Sequence, residues 1–280
     1  MNVLETTDAI DREPTDDIKF EILEPDDPEN AARRIEEIRQ KTPSDPDLLK
    51  WRVKLGPNPS PQARYDMEYK RGIYQSYKPG IDDFGIEKFL GRSLWFPYVT
   101  EIGGGLANIA NLALAKSDIV QSRFSFDIAK LPKDPKSRVT YLQGDITDTD
   151  DAREMVARSS CSPTLFVLSY CLDRVSDQRM AIKNFADLVK WNKENVGLIT
   201  VCLPAKPFSP GVSTLDYSEN GKWLTKGENA IDDYKLIKQE FEKRGLRVLK
   251  NGITKHYGVS LDGYEELPCY CMLVKADLFG

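Results

Sequence analysis

The stretch Tyr98-Val99-Thr100-Glu101-Ile102-Gly103-Gly104-Gly105-Leu106-Ala107 joins an apolar run, an acid, three glycines and a second apolar run. Glycine adopts positive φ without strain and carries no Cβ. Its N–H groups can therefore approach a bound group closely, and a helix starting after the turn adds positive potential there. The stretch reads as a strand, a turn and a helix arranged to hold a nucleotide cofactor. It equally suits a tight strand-to-helix turn with no ligand, and the choice rests on the rest of the chain. A second candidate is His256, the single histidine, just past the apolar run Leu246–Ile253. Its unperturbed pKa near neutrality makes it the candidate general base, against a purely structural or solvent-exposed role.

Composition narrows the chemistry further. Five cysteines (Cys161, Cys171, Cys202, Cys269, Cys271) contain no C-x-x-C pair. With one histidine they argue against a disulfide framework and a metal site, and suit small buried apolar residues. Residues 1–30 hold eleven acids against Arg12 and Lys19, which leaves an excess of four positive charges on the rest of a chain whose net charge is −5. An acidic tail and the absence of a basic stripe disfavour nucleic acid as a partner. No apolar run is long enough to span a membrane, and Met1–Ile10 carries Glu5 and Asp8 where a signal peptide would be basic and apolar. A cytoplasmic location is expected.

The elements that must position the glycine turn follow a simple pattern. Residues 1–30, with Pro14, Pro25 and Pro28 among the acids, read as a flexible tail. Residues 31–93 read as a helical lid or extension, in which Tyr65, Tyr69, Ile73 and Tyr77 recur every four residues as a contact stripe. From residue 94 to 280, strands alternate with helices. Strands are expected at 95–101, 123–127, 138–142, 164–169 and 197–203, with helices at 106–116, 149–159, 176–192 and 229–244. This is the pattern of a doubly wound, mostly parallel sheet, whose ligand crevice lies at the carboxyl ends of the strands. The runs Leu246–Ile253 and Cys269–Ala276 have no helix between them and are expected to pair antiparallel. Residues 205–227 form a polar insertion on the substrate side.

A seven-stranded sheet of this kind, closed by an antiparallel last strand, resembles the class I S-adenosylmethionine-dependent methyltransferases. The turns agree. Glu101-Ile102-Gly103-Gly104-Gly105-Leu106-Ala107 matches the family's acid-x-Gly-x-Gly-x-Gly, with Ala107 at the third glycine. The resemblance implies that Glu101 orders the loop and that Gly103, Gly104 and Gly105 bring backbone to the methionine part of the cofactor. It implies that Asp127, in Phe124-Ser125-Phe126-Asp127, accepts from both ribose hydroxyls. It implies that Gly144-Asp145-Ile146 serves the adenine, the Asp taking the amino group and the Ile covering the ring. Ser169 and Tyr170 fall at the cofactor's amino-acid end and Asp173 at the acceptor; Asp173-Arg174 also suits a helix cap. One departure stands out. Asp127 and Asp145 are close in sequence, with Pro132 and Pro135 between them, so the usual intervening helix is short or absent. One wall of the adenine site is then open or supplied by another segment.

The expected activity is methyl transfer from S-adenosylmethionine, with S-adenosylhomocysteine (SAH) as product, to the O, N or C atom of a small metabolite, in specialised metabolism. Tyr170, Asp173 and His256 are the catalytic candidates. Tyr65, Tyr69, Phe208 and Trp223 are the candidates for holding an acceptor with a flat or apolar surface. Methyltransferases acting on base amino groups carry Asn/Asp-Pro-Pro-aromatic where this chain has Leu168-Ser169-Tyr170-Cys171, which also favours a small molecule. Two rivals use the same residues: a Rossmann-type NAD(P)-dependent oxidoreductase, with Tyr234-x-x-x-Lys238 as its one further feature, and a methyltransferase-like binding protein without catalysis. The oligomeric state is left open between monomer and homodimer.

Overall fold

The computed structural model describes residues 18–24, 28–29, 32–33, 36, 62–63, 89–90, 96–104, 122–130, 139–159, 163–169, 171–172, 175–202, 222–225, 229–260 and 263–277. Of residues 255–260 and 263–268 it describes the backbone. Their strands form one sheet. In chain order these are β1 (Glu21–Ile22), β2 (Tyr98–Ile102), β3 (Ser122–Asp127), β4 (Val139–Gln143), β5 (Thr164–Ser169), β6 (Val196–Cys202), β7 (Leu246–Ser260) and β8 (Gly263–Ala276). They lie in the order β1-β7-β8-β6-β5-β2-β3-β4. The pairs from β6 through β5, β2 and β3 to β4 are parallel, and β8 runs antiparallel to both β6 and β7.

Among the described residues, three helices return the chain between strands: α1 (Thr149–Ser159), α2 (Gln178–Lys190) and α3 (Ala230–Lys243). Their ends have local causes. The Asp177 side chain accepts from Met180 N, and that of Asn229 accepts from Ile231 N and Asp232 N, so the first free N–H groups of α2 and α3 are satisfied. After α3, Gly245 turns the chain at φ 77°, a conformation that costs glycine little. Residues of β5 alternate between two cores, as a strand buried on both faces must. Phe166 and Leu168 join Met155, Ile182, Phe185, Ile237 and Phe241 under the helices, while Leu165 and Val167 join Leu23, Phe89 and Phe96 on the other face.

Two boundary differences from the sequence reading bear on the fold. The first sheet strand of the glycine turn starts at Tyr98 and not Trp95, just beyond Pro97, which has no N–H to give a ladder. The stretch between the two last apolar runs is not a connection: β7 and β8 pair from Leu246↔Ala276 to Ser260↔Gly263 as one long hairpin. An antiparallel pair satisfies its own backbone and so extends past the apolar residues that bury its base.

The sheet also has eight strands, one more than expected. Within the tail read as flexible, Glu21 and Ile22 pair in parallel with Gly252 and Ile253. The reason is apolar residues set among the acids. Ile18 and Phe20 pack on the helix-side core, and Leu23 is buried in the core on the opposite face. Phe20 meets the rings of Tyr234 and Tyr270 at 5.2 and 5.6 Å. Cys269 and Cys271 are free thiols buried in the sheet, as a reading of small apolar residues requires.

Candidate functional site

The carboxyl ends of four adjacent strands are level. Register pairs Ile102 with Phe126 and Leu168, and Phe126 with Leu142, so the turns after β2, β3, β4 and β5 leave one edge of the sheet. The turns are also bonded to one another. Gly103 N donates to Phe126 O at 2.8 Å, and Gly144 N donates to Asp127 O at 3.0 Å.

Glu101 is fully buried, at 0% exposure, behind the glycine turn. Gly103 has φ 71°. A Cβ there would lie 2.5 Å from Cys171 Cβ and 2.8 Å from Cys171 Sγ, and one on Gly104 would fall on the Glu101 carboxyl group. The turn is thus held between the acid beneath it and the loop after β5, where Cys171 Sγ also donates to Ile102 O at 3.9 Å. Both glycines leave no room for a side chain, so their backbone is what the turn presents to a ligand.

At the end of β3, Asp127 is half-buried and its Oδ1 accepts from Ala129 N at 2.9 Å. At the end of β4, Asp145 Oδ1 accepts from both the N–H and the hydroxyl of Thr147 at 2.8 Å. Its other oxygen, Oδ2, has no partner among the described residues and is available as an acceptor. Ile146 is 4% exposed and packs into the core with Met155 and Ile182. Ser169, at the end of β5, is buried.

Helix α2 ties these turns together through two polar residues on its buried face. Gln178 Nε2 donates to Leu172 O at 3.0 Å and to Thr225 Oγ1 at 3.2 Å, while its Oε1 accepts from Leu224 N at 2.9 Å and Thr225 N at 3.2 Å. Asn184 Nδ2 donates to Ile146 O at 2.8 Å. One helix therefore fixes the loop after β5, segment 222–225 and the turn after β4. Sequence reasoning missed Gln178, Asn184 and Cys171. The signal was there in part, since two amides on an apolar helix face must find buried partners. Gln178→Leu strands two buried N–H groups and is expected to lower stability by about 1–3 kcal/mol. Urea unfolding of the variant measures this.

The structure brings Glu101, Gly103, Gly104, Asp127, Gly144, Asp145, Ile146 and Ser169 to one edge. Half-buried Trp223 lies in the segment held by Gln178, between Lys222, whose carbonyl accepts from Arg179 N at 3.0 Å, and Leu224. Gly105, Tyr170, Asp173, Tyr65, Tyr69 and Phe208 lie outside the described residues. His256 pairs with Leu267 on the part of the hairpin that continues past Cys202↔Cys269, the last β6–β8 pair. Its backbone is thus beyond the carboxyl edge but three strand spacings from β5, about 14 Å.

Tyr234 and Lys238, the motif shared with dehydrogenases, lie on α3, with Tyr234 enclosed in the helix-side core. Tyr234 is fully buried, stacks on Tyr270 at 5.2 Å and donates to Asn251 Oδ1 at 2.7 Å. Burial pushes its hydroxyl far above the ordinary tyrosine value, the reverse of what a proton-transferring tyrosine needs. Lys238 Nζ pairs with Glu242 at 2.7 Å. Among the described residues no group of three or more acidic, His or Cys side chains could hold a metal, and no helix is long and apolar enough to cross a membrane.

No protein-family model and no curated protein matches the chain. Solved structures do resemble it. A SAM-dependent methyltransferase from Anabaena variabilis aligns at 10% identity and TM-score 0.47 over 79% of this chain and 96% of its own. The trans-methyltransferase CalH in complex with SAH aligns at 13% and 0.49 over 75% and 61%. A LepI variant in complex with SAH and a substrate analogue aligns at 13% and 0.42 over 76% and 54%. The chain thus spans less than two thirds of the length of the last two. The topology itself is decisive: five parallel strands, with β8 inserted antiparallel between β6 and β7. This chain has the fold of the class I S-adenosylmethionine-dependent methyltransferases.

Proposed function

We propose that the protein transfers a methyl group from S-adenosylmethionine to a small-molecule acceptor. The observation that carries this reading is the convergence of the Glu101-backed glycine turn, Asp127 and Asp145 on one sheet edge. In this reading the bare backbone of Gly103 and Gly104 lies against the methionine part, and the Asp127 carboxylate accepts from the ribose hydroxyls. The uncommitted Oδ2 of Asp145 accepts from the adenine amino group. Ile146, packed into the core, bounds the adenine from below.

When bound, the cofactor supplies a methyl group on a positively charged sulfur, open to in-line displacement. The chain's own contribution is to hold the acceptor in line with that methyl and keep water away. Tyr170 and Asp173 follow β5 directly and are the proposed residues at the methyl group, with His256 as base where the acceptor is a poor nucleophile. Tyr65, Tyr69, Phe208 and Trp223 are the proposed walls of the acceptor pocket, and the atom methylated is O, N or C.

Calorimetric titration tests the reading. Binding of S-adenosylmethionine or SAH, and not of NAD(P), is expected; binding of NAD(P) alone overturns it. Asp127→Ala is expected to weaken SAH binding by about 1–3 kcal/mol, the loss of hydrogen bonds to a charged acceptor. An unchanged affinity in that variant means that another acid holds the ribose.

A further inference from the structure

We propose that Gln62 is a positioning residue for the loop after Asp127, and through it for the cofactor site. The inference rests on reading that edge as an S-adenosylmethionine site. The loop Asp127–Lys130 is tied at successive polar groups. Asp127 Oδ1 accepts from Ala129 N at 2.9 Å, and Gln143 Nε2 donates to Ile128 O at 3.0 Å. At Lys130 both backbone groups meet one side chain from 68 residues earlier. Its N–H donates to Gln62 Oε1 at 2.7 Å, and its carbonyl accepts from Gln62 Nε2 at 3.5 Å.

A primary amide presents the same donor and acceptor as a peptide group, so Gln62 engages Lys130 as a neighbouring strand would. This support has a reason to exist. With Pro132 and Pro135 just beyond, the loop leads into a stretch poorly suited to the crossover helix that would otherwise brace it. Gln62 and Ala63 are helical and half-buried. A ligand that needs Asp127 in place then binds more tightly when Gln62 is docked. By reciprocity it holds Gln62 against Lys130 by the same factor. Gln62 thereby supports the adenosine side of the site, where the sequence pointed to an open or borrowed wall.

The test uses the full-length protein and SAH as the probe. Gln62→Leu, of similar length but unable to donate or accept, is expected to weaken SAH binding about five- to tenfold. Its unfolding midpoint should stay near wild type, because the bonds to Lys130 are exposed. Gln62→Glu keeps an acceptor for the short bond from Lys130 N and is expected to stay within about twofold of wild type. In wild type, SAH should also slow amide hydrogen exchange at Lys130, an effect absent from Gln62→Leu. Equal SAH affinity in wild type and Gln62→Leu overturns the role of Gln62 and leaves the functional reading intact. A wild-type protein that binds no SAH overturns the functional reading itself.

Discussion

Gly103→Ala is expected to lower stability by about 2–5 kcal/mol and to remove measurable SAH binding. Two physical terms combine. The backbone at φ 71° lies in the left-handed region, where any Cβ costs roughly 1–2 kcal/mol. The new methyl would also lie 2.5 Å from Cys171 Cβ and 3.4 Å from Ser169 O, so the loop after β5 must retreat, at a further cost of about 1–3 kcal/mol. Retreat breaks the level edge on which the proposed site depends, since Ser169 ends β5 and Gly103 N is bonded to the end of β3. Denaturant unfolding measures the first effect and calorimetry with SAH the second. The two terms separate in Gly103→Ala combined with Cys171→Gly. That double variant should recover the steric part and keep the backbone part. Wild-type stability in Gly103→Ala would mean that the turn is not built as described.

Phe185→Ala is expected to cost about 3–5 kcal/mol, the range for removing a fully buried ring from a core that cannot close over the void. Phe185 lies on the buried face of α2 and meets Phe241 of α3 edge-on at 6.0 Å and 72°. It also lies over Gly197 of β6. A Cβ at Gly197 would be 2.8 Å from the Phe185 ring, 2.8 Å from Val274 and 2.9 Å from Val189. The sheet approaches the helix closely enough for the ring to fill the space of a missing side chain. Phe185→Leu, which fills part of that space, should cost less than Phe185→Ala. Unfolding midpoints in urea rank the two variants. Equal costs for Leu and Ala would mean that partly filling this space recovers nothing.

Three glycines show what a chain reveals without its fold and what it does not. Gly103, Gly104 and Gly197 all have side-chain space denied to them. At Gly103 and Gly104 a local pattern of acid and glycines after an apolar run gave this away. At Gly197 nothing in the neighbouring sequence did, because Phe185, Val189 and Val274 reach it from one helix and one distant strand. The same division holds at the site. Glu101, Asp127 and Asp145 were legible because each ends an apolar strand run, and parallel strands bring their carboxyl ends to one edge. Cys171, Gln178, Asn184 and Gln62 were not, because each acts on backbone from 38 to 69 residues away.

Elements followed similar lines. Thr149–Ser159 and Thr164–Ser169 came out with the expected bounds, since an acidic first turn and a short apolar run are local signals. The strand at Glu21–Ile22 was hidden in an acidic stretch whose composition alone argues for disorder. Its place depends on Phe20 and Leu23 finding opposite cores.

By itself, then, the sequence determined the alternation of strands and helices, the antiparallel closing pair and the acids at the strand ends. Periodicity and turn chemistry act over a few residues and need no partner to be recognised. Only the tertiary structure decided that the acidic tail adds an eighth strand, that the hairpin carrying His256 runs past the carboxyl edge, and that Gln62 and Gln178 bond to loops at that edge. Those outcomes depend on which distant backbone groups are left to be satisfied once the sheet has formed, and hydrogen bonds made across the chain leave no period in it.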